Sequence, residues 1–226
     1  MGLFSKDLKS LDDLFNHGLE DLYYAENQIL KSLPKMIDNA HDAELKRGLQ
    51  QHLTETEGQI KRLERVFALD DKPPRGVKCP GIDGILREGD ELLGEMEGDE
   101  VMNVGIVAAA QAVEHYEITR YGTLIAWAKE LGRKAAVPLL LANLKEEKAA
   151  DEKLTRIAER RVNPKGEGGE ARSGGGRKKA ASAGRRKAAS AGGRKTAARG
   201  AKSASRSTGG RGKTAAKRKS AKRKRA

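Results

Sequence analysis

Apolar residues recur at intervals of three and four positions along four long stretches of this chain, which is the spacing of amphipathic α-helices. The first stretch begins after Ser10-Leu-Asp-Asp13, a capping-box pattern with Asp in the place of Glu. Pro34 lies near its end and is expected to kink or interrupt that helix. We therefore predict an all-α protein. The remaining predicted helices cover about residues 43–68, 82–96, 104–131 and 134–161, and the helix at 82–96 is short.

Acidic residues interrupt the apolar stripes of all four long helices. Glu114 is a clear example, because Val107, Ile118 and Tyr121 are its neighbours at helical spacing. An ionised carboxylate in such a position is costly unless it is paired or binds a cation. The acidic residues that lie on or beside the stripes are Glu26, Glu55, Glu114, Glu117, Glu147 and Asp151.

These carboxylates are typical of helical bundles that hold two metal ions in their core, because such bundles take ligands from all four helices. Oxygen donors favour iron or manganese, and the single cysteine, Cys79, argues against a zinc–thiolate site or an iron–sulfur cluster. We therefore predict that the six residues are metal ligands, with iron as the first candidate and manganese as the second. The alternative for any one of them is a flanking position in contact with water, and Glu55 and Glu117 lie at the edges of their stripes.

Polar side chains near these carboxylates can orient them. Tyr23 and Tyr121 are interpreted as core residues whose hydroxyls reach polar partners, and either could donate to a ligand carboxylate. His52 and His115 are predicted to be hydrogen-bonded packing residues rather than ligands. The predicted supporting residues are Tyr23, His52, Gln59 and Tyr121.

Charge is divided unevenly along the chain, whose formal net charge is +13. Residues 171–226 contain 21 of the 45 lysines and arginines and none of the 32 acidic residues. Residues 1–170 therefore hold 24 basic and 32 acidic residues, a net charge of −8. We predict a helical domain over residues 1–163 and a basic tail over residues 164–226, which has too few large apolar residues to form a core and is expected to be disordered.

The basic tail is predicted to bind DNA through salt-sensitive phosphate contacts. It contains the near-repeats 177–184 and 185–192, and it has no aromatic residue that could stack on single-stranded bases. Another polyanion or an anionic membrane surface is the alternative partner. The residues predicted to contact nucleic acid are Arg177, Lys178, Lys179, Arg185, Arg186, Lys187, Arg194, Lys195, Lys217, Arg218, Lys219, Lys222, Arg223, Lys224 and Arg225.

The first residues contain no apolar segment of the kind found in signal peptides, and no apolar run is long enough to span a membrane. A single cysteine is compatible with a reducing compartment. We therefore expect a cytoplasmic protein, associated with the nucleoid if its tail binds DNA.

Four segments of the helical part are informative together, and the third is the specific one: Leu22-Tyr-Tyr-Ala-Glu-Asn-Gln-Ile29, His52-Leu-Thr-Glu-Thr-Glu-Gly-Gln59, Gln111-Ala-Val-Glu-His-Tyr-Glu-Ile-Thr-Arg-Tyr-Gly-Thr-Leu124 and Leu144-Lys-Glu-Glu-Lys-Ala-Ala-Asp-Glu-Lys-Leu154. In these segments the helical part resembles the YciE/YciF family of ferritin-like proteins, over about residues 8–160. The tail lies outside this resemblance and is similar to the Ala/Lys/Arg-rich tails of histone H1-like proteins.

The resemblance implies an antiparallel four-helix bundle with extra short helices, assembled as a homodimer. It also implies a likeness to rubrerythrins, with a di-iron or related site, a role in the stress response and ferroxidase activity. Glu114 and Glu117 match the paired glutamates of the third rubrerythrin helix. Asp151 replaces a usual histidine, and Gln59 stands where a histidine would match the pattern better. His52, at a different turn of the same helix, is the alternative nitrogen ligand.

Two functions follow as predictions. The first is a ferroxidase or peroxide-consuming protein tethered to DNA by its tail, with manganese catalase-like chemistry as a variant that the same ligands could support. The alternative is a non-enzymatic, dimeric DNA-binding protein whose bundle is only a scaffold.

Overall fold

The computed structural model describes residues 8–167, and every regular element in that range is helical. This confirms the prediction of an all-α protein. No helix in this part of the chain is long and apolar enough to cross a membrane. The elements are α1 (Leu11–Asn39), α2 (Ala43–Ala68), α3 (Pro80–Glu95), α4 (Asp99–Glu130), α5 (Ala136–Ile157), a π-helical segment (Ala158–Val162) and α6 (Asn163–Gly166).

Most of the predicted tail lies outside the described residues, which end at residue 167. Its predicted disorder and its predicted nucleic-acid contacts therefore remain predictions from the sequence. The short helix α6 occupies the first residues of the segment that was assigned to the tail.

Helices α1, α2, α5 and α4 pack side by side in that order and close into a four-helix bundle. The first half of α1 meets the last part of α4, where the Cβ that Gly18 lacks would lie 3.2 Å from Leu124. The first part of α2 meets the last part of α5, where Gly48 faces Lys153 and Ile157. Adjacent helices of the bundle are therefore antiparallel, and α3 packs against α4 and α1.

Local sequence explains where α1 and α2 begin. The Ser10 hydroxyl accepts a hydrogen bond from the Asp13 amide at 3.0 Å and donates one to the Asp13 carboxylate at 2.7 Å, so the predicted capping pattern is present. Asp42 caps α2 by accepting hydrogen bonds from the amides of Glu44 and Leu45. The Asp42 cap fixes the short turn between α1 and α2.

Three helix boundaries differ from those predicted. Helix α1 is not interrupted at Pro34 and continues to Asn39, because buried apolar residues around the proline outweigh the one backbone hydrogen bond that it cannot donate. Helix α4 begins at Asp99 rather than at residue 104, directly after Gly98, whose φ of 89° favours glycine. Helix α5 ends at Ile157, and the next five residues are π-helical rather than α-helical.

The middle of the bundle is polar, although the core around it is apolar. On α1, Leu22 and Ile29 lie one turn before and one turn after Glu26, and all three side chains are buried. On α5, Leu140 and Leu154 lie two turns before and two turns after Glu147, and these are also buried. The fold therefore holds carboxyl groups inside the core, away from both ends of the bundle.

Candidate metal centre

Four buried side chains meet in the middle of the bundle. His52 from α2, Glu114 and Glu117 from α4 and Glu147 from α5 each offer one ligand atom, and these atoms all lie within 4.8 Å of one another. None of the four residues is more than 5% exposed. Glu114 and Glu117 reach the same point because residues three apart lie on one face of a helix. A group of this composition could hold a metal ion.

Glu26 adds a carboxyl group from α1 and is fully buried. The Tyr121 hydroxyl donates a hydrogen bond to Glu26 Oε1, and the Asn143 amide nitrogen donates one to the Tyr121 oxygen at 2.7 Å. Arg62 in turn donates from Nε to Asn143 Oδ1 and from Nη2 to Glu146. Because Arg62 is partly exposed, these bonds form a continuous chain from the surface of the bundle to Glu26.

Glu147 is held by a separate hydrogen bond from α2. The side-chain amide of Gln59 donates to Glu147 Oε1. The backbone carbonyl of Gln59 accepts a hydrogen bond from Asn143 Nδ2 at 3.3 Å. Asn143 lies one turn before Glu147 on the same face of α5, so it contacts the partners of both Glu26 and Glu147.

Several buried polar atoms of this centre make no hydrogen bond to any group in residues 8–167. They comprise five carboxylate oxygens, both ring nitrogens of His52 and the side-chain oxygen of Gln59; the carboxylate oxygens belong to Glu26, Glu114, Glu117 and Glu147. Buried polar atoms are normally hydrogen-bonded, and each one left unmatched costs free energy. Carboxylate oxygens and imidazole nitrogens are donors that iron and manganese accept. The residues present therefore fit a divalent metal ion.

The electrostatics of the centre favour a cation as well. Removal from water is the main cause that raises the pKa of Glu114 to about 8; a hydrogen bond with Glu147 lowers the pKa, and the charges of Asp151, Glu26 and Glu55 raise it. Burial and mutual repulsion also raise the pKa values of Glu26, Glu117 and Glu147 well above the usual range. Burial lowers the pKa of His52 to about 4. Protein groups alone therefore leave protons on these carboxyls and a neutral imidazole at pH 7, and a cation would have to displace those protons.

Three of the six predicted ligands lie outside the group of four: Glu26, described above, and Glu55 and Asp151. The Glu55 side chain is partly exposed, and its Oε2 lies 4.0 Å from His52 Nδ1. Asp151 accepts a hydrogen bond from Gln111 at 3.0 Å, and its Oδ1 lies 3.2 Å from His115 Nε2. Both residues thus stand near the outer edge of the centre.

The predicted supporting residues are distributed differently. Tyr121 and Gln59 each donate to a carboxyl group of the centre, to Glu26 and Glu147 respectively. Tyr23 does not, because its hydroxyl donates to Glu64 at 3.2 Å.

Three residues have a larger part in the centre than the sequence indicated. His52 was predicted to pack and to support the ligands rather than to be one, but it belongs to the group of four, and its Nε2 lies 3.3 Å from Glu114 Oε1. Asn143 and Arg62 were not predicted at all. The one signal for Asn143 is its place a single helical turn before Glu147, and nothing comparable marks Arg62.

Comparison with known proteins places this chain in a family. The sequence model described as "Domain of unknown function (DUF892)" matches residues 10–166. Protein YciF of Escherichia coli (strain K12) is 40% identical over 162 residues, which cover 71% of this chain and 98% of YciF.

Solved structures agree with this relationship. YcfI of Rhodopseudomonas palustris, described as a candidate structural protein, is 54% identical in sequence and matches with a TM-score of 0.67. The match covers 69% of this chain and 99% of the YcfI chain. The crystal structure of YciF, described as an E. coli stress protein, matches with a TM-score of 0.66 and covers 69% of this chain and 98% of its own. A Xanthomonas campestris protein shares the fold, with a TM-score of 0.53 and 22% sequence identity. The match covers 67% of this chain and 92% of the Xanthomonas chain. The chain therefore belongs to the YciF family, whose matching sequence model is the domain of unknown function DUF892.

Proposed function

We propose that this protein is a ferritin-like, iron-oxidising protein of the stress response, which binds Fe²⁺ in the middle of its bundle and passes the electrons to peroxide or O₂. The observation that carries the proposal is the set of buried carboxylate and imidazole atoms that have no protein partner in residues 8–167. A fold retains such atoms at a cost unless a ligand satisfies them. The description of YciF as a stress protein supports the same role.

The residues have distinct parts in this proposal. Glu114, Glu117 and Glu147, with His52, would hold the metal, and Glu26 would complete the set from α1. Bound there, two iron ions would supply one-electron redox chemistry. Manganese at the same ligands, with turnover of peroxide instead of Fe²⁺ oxidation, is the variant of this proposal.

Metal content tests the proposal directly. The protein purified from its own cells should contain about two iron or manganese ions per chain by elemental analysis, as expected for a carboxylate bundle site. The double variant Glu114→Gln/Glu147→Gln keeps the side-chain volumes and should lose this metal. The matched control Glu152→Gln/Glu159→Gln removes two exposed carboxylates and should keep it.

A second measurement separates binding from chemistry. Metal-free protein is titrated anaerobically with Fe²⁺, and the absorbance of the oxidised product is then followed after hydrogen peroxide or O₂ is added. Absence of Fe²⁺ binding, or equal binding by wild type and the glutamine double variant, would refute the proposal.

We also propose that residues 1–163 form this metal-binding domain and that residues 164–226 form a separate DNA-binding tail. The supporting observation is the charge division, with 21 basic and no acidic residues in 171–226 against a net charge of −8 in residues 1–170. A tail of this kind binds phosphates with an affinity that falls steeply with salt. Fe²⁺ and peroxide consumed close to DNA would produce fewer hydroxyl radicals there.

Deletion of residues 171–226 tests this division of labour. The truncated protein should lose DNA binding in a salt titration and keep its Fe²⁺ oxidation. Competition by heparin at equal charge would show that the tail prefers no particular polyanion. DNA affinity that persists in the truncated, net-acidic domain would contradict the proposal.

A homodimer would present two tails, and the linked tails would bind DNA with avidity. This arrangement also supports the second candidate function, a DNA-binding scaffold without enzymatic activity. Sedimentation analysis measures the oligomeric state. A dimer that binds DNA but takes up no metal would favour the scaffold over the iron-oxidising protein.

A further inference from the structure

A groove between α2 and α5 leads from the surface to the metal centre. It encloses a cavity of about 220 Å³. Its walls are mainly apolar and are formed by Gly48, Leu49, Ala149, Ala150, Leu154 and Ile157. Nothing in the binding of a bare metal ion requires walls of this kind, because a cation is favoured by oxygen ligands along its path.

The deep end of the groove is formed by His52 and Glu114. His52 is 5% exposed and Glu114 is 2% exposed, and both ring nitrogens of His52 and Oε2 of Glu114 make no hydrogen bond within residues 8–167. Both residues line the groove and also belong to the group of four in the metal centre. The groove therefore combines an apolar body with a polar end at the proposed site of redox chemistry, which is the usual composition of a small-molecule site.

The outer part of the groove carries more positive than negative side chains. Lys153 and Arg156 line it together with Glu55 and Gln51. Lys153 Nζ donates to Gln51 Oε1 at 2.9 Å, which places the ammonium group across the opening. Two cationic side chains at the opening disfavour the approach of Fe²⁺ by this route. The apolar walls and these two cationic side chains therefore favour an uncharged molecule over Fe²⁺.

Hydrogen peroxide does not match the groove well either. It is small, polar on every side and gains nothing from apolar walls. A molecule with a hydrocarbon part and one polar group matches both the walls and the deep end. Among the oxidants that a peroxide-consuming centre can use, this description fits an organic hydroperoxide.

We propose that the α2–α5 groove binds an organic hydroperoxide, with its hydrocarbon part against the apolar walls and its peroxide group at His52 and Glu114. This inference rests on the proposed function, because it names the oxidant for the same centre. In the reaction the O–O bond of ROOH breaks, and the molecule takes up two electrons and two protons. One electron comes from each of two Fe²⁺ substrate ions and the protons come from solvent, so the products are ROH, H₂O and two Fe³⁺.

The variant Gly48→Leu fills the groove. A Cβ at this position would lie 3.5 Å from Lys153 Cε and 3.7 Å from Ile157 Cδ1, which is ordinary contact, so the rest of the leucine side chain must occupy the cavity. The matched control is Gly84→Leu on α3, where a Cβ meets nothing within 4 Å. Both substitutions replace glycine within a helix by a better helix former, so both variants should fold.

Ligand binding is measured first, on metal-free protein. The probe is 2-phenyl-2-propanol, the alcohol formed from cumene hydroperoxide, and saturation-transfer NMR reports its contact with the protein. Wild type and Gly84→Leu should give the signal, and Gly48→Leu should lose it. No signal from wild type, or an equal signal from Gly48→Leu, would overturn the proposal.

Kinetics on iron-loaded protein give the second readout. The ratio of kcat/KM for cumene hydroperoxide to kcat/KM for hydrogen peroxide should fall by about tenfold in Gly48→Leu, as expected when a hydrocarbon pocket is filled. The ratio should not change in Gly84→Leu. A ratio that is unchanged in Gly48→Leu would overturn the choice of oxidant.

The failures of the two proposals can be told apart. If neither peroxide oxidises Fe²⁺, the proposed function fails, whereas the NMR result still decides whether the groove binds the alcohol. If Gly48→Leu instead alters the sedimentation coefficient and wild type binds no alcohol, the groove is a contact between two copies of the chain, and the proposal is overturned.

Discussion

The variant Glu114→Gln should flatten the pH dependence of stability in the metal-free protein. Burial raises the pKa of Glu114 from 4.5 to about 8. A group whose pKa is raised by folding stabilises the native state fully below its unfolded pKa, and this contribution is lost as the pH rises through the folded pKa. Glutamine cannot ionise, so the Glu114→Gln variant does not lose stability in this way as the pH rises.

The size of the effect follows from the same shift. At pH values between 4.5 and about 8 the carboxyl is protonated in the folded protein and ionised in the unfolded chain, so unfolding releases one proton. The free energy of unfolding then falls by about 1.4 kcal/mol per pH unit. From about pH 6.5 to about pH 8 the loss due to Glu114 alone is about 2 kcal/mol. Below about pH 6.5 the lowered pKa of His52 acts in the opposite direction, so the measurement belongs above that value.

The assay is urea unfolding in the presence of EDTA, followed by circular dichroism and by the fluorescence of Trp127, the single tryptophan of the chain. Wild type should lose stability steadily from about pH 6.5 to about pH 8, and Glu114→Gln should lose at least about 2 kcal/mol less over that window. The control Glu152→Gln removes an exposed carboxylate of α5 and should retain the slope of wild type. Added Mn²⁺ should reverse the slope in wild type, because a cation holds the carboxylates ionised.

Two results would refute this reasoning. One is a metal-free wild-type protein whose stability does not change between pH 6.5 and 8. The other is a Glu114→Gln variant that keeps the full slope, since the proton released on unfolding would then come from elsewhere in the protein.

Three further predictions concern single residues. Tyr121→Phe leaves Glu26 and Asn143 without their shared hydrogen-bond partner. It should lower the free energy of unfolding in urea by about 1–3 kcal/mol. An unchanged stability would show that these hydrogen bonds do not stabilise the fold. Asp42→Ala removes the cap of α2 and the ion pair with Arg161 and should cost about 1–2 kcal/mol in the same assay, whereas a loss below the error of measurement would contradict the capping role. His52 should remain neutral in metal-free protein down to about pH 5, and ring chemical shifts that titrate near pH 6.5 would contradict its burial.

The helices were predictable because burial of an apolar face leaves a period in the sequence. Helix α2 follows the predicted bounds, since Asp42 caps it and its stripe is regular. The start of α4 was missed because residues 99–103 are held by tertiary contact: Asn103 accepts hydrogen bonds from the amides of His41 and Asp42. The π-helical segment was missed because a change from α to π geometry leaves no period of its own in the sequence.

Sequence spacing brought out the carboxyl groups of the centre more clearly than their partners. A carboxylate on an apolar stripe conflicts with its surroundings, so Glu114 and Glu147 stand out in the sequence. An asparagine or a histidine on such a stripe conflicts far less, which is why Asn143 and His52 were overlooked or taken for packing residues. Spacing also could not show that Asp151 turns toward Gln111 and His115, since that depends on the rotation of two helices about their axes.

The hydrogen-bonded chain that ends at Glu26 has a direction, and the direction is set at the surface. Arginine can only donate, so Arg62 requires the oxygen of the Asn143 amide and turns the NH₂ group toward Tyr121. The Tyr121 oxygen is then an acceptor, and its proton is committed to Oε1 of Glu26. Oε2 is thereby left as the oxygen of Glu26 that is available to a ligand. The substitution Asn143→Asp would replace this donor by an acceptor, so the Tyr121 hydroxyl would have a second acceptor besides Oε1 of Glu26.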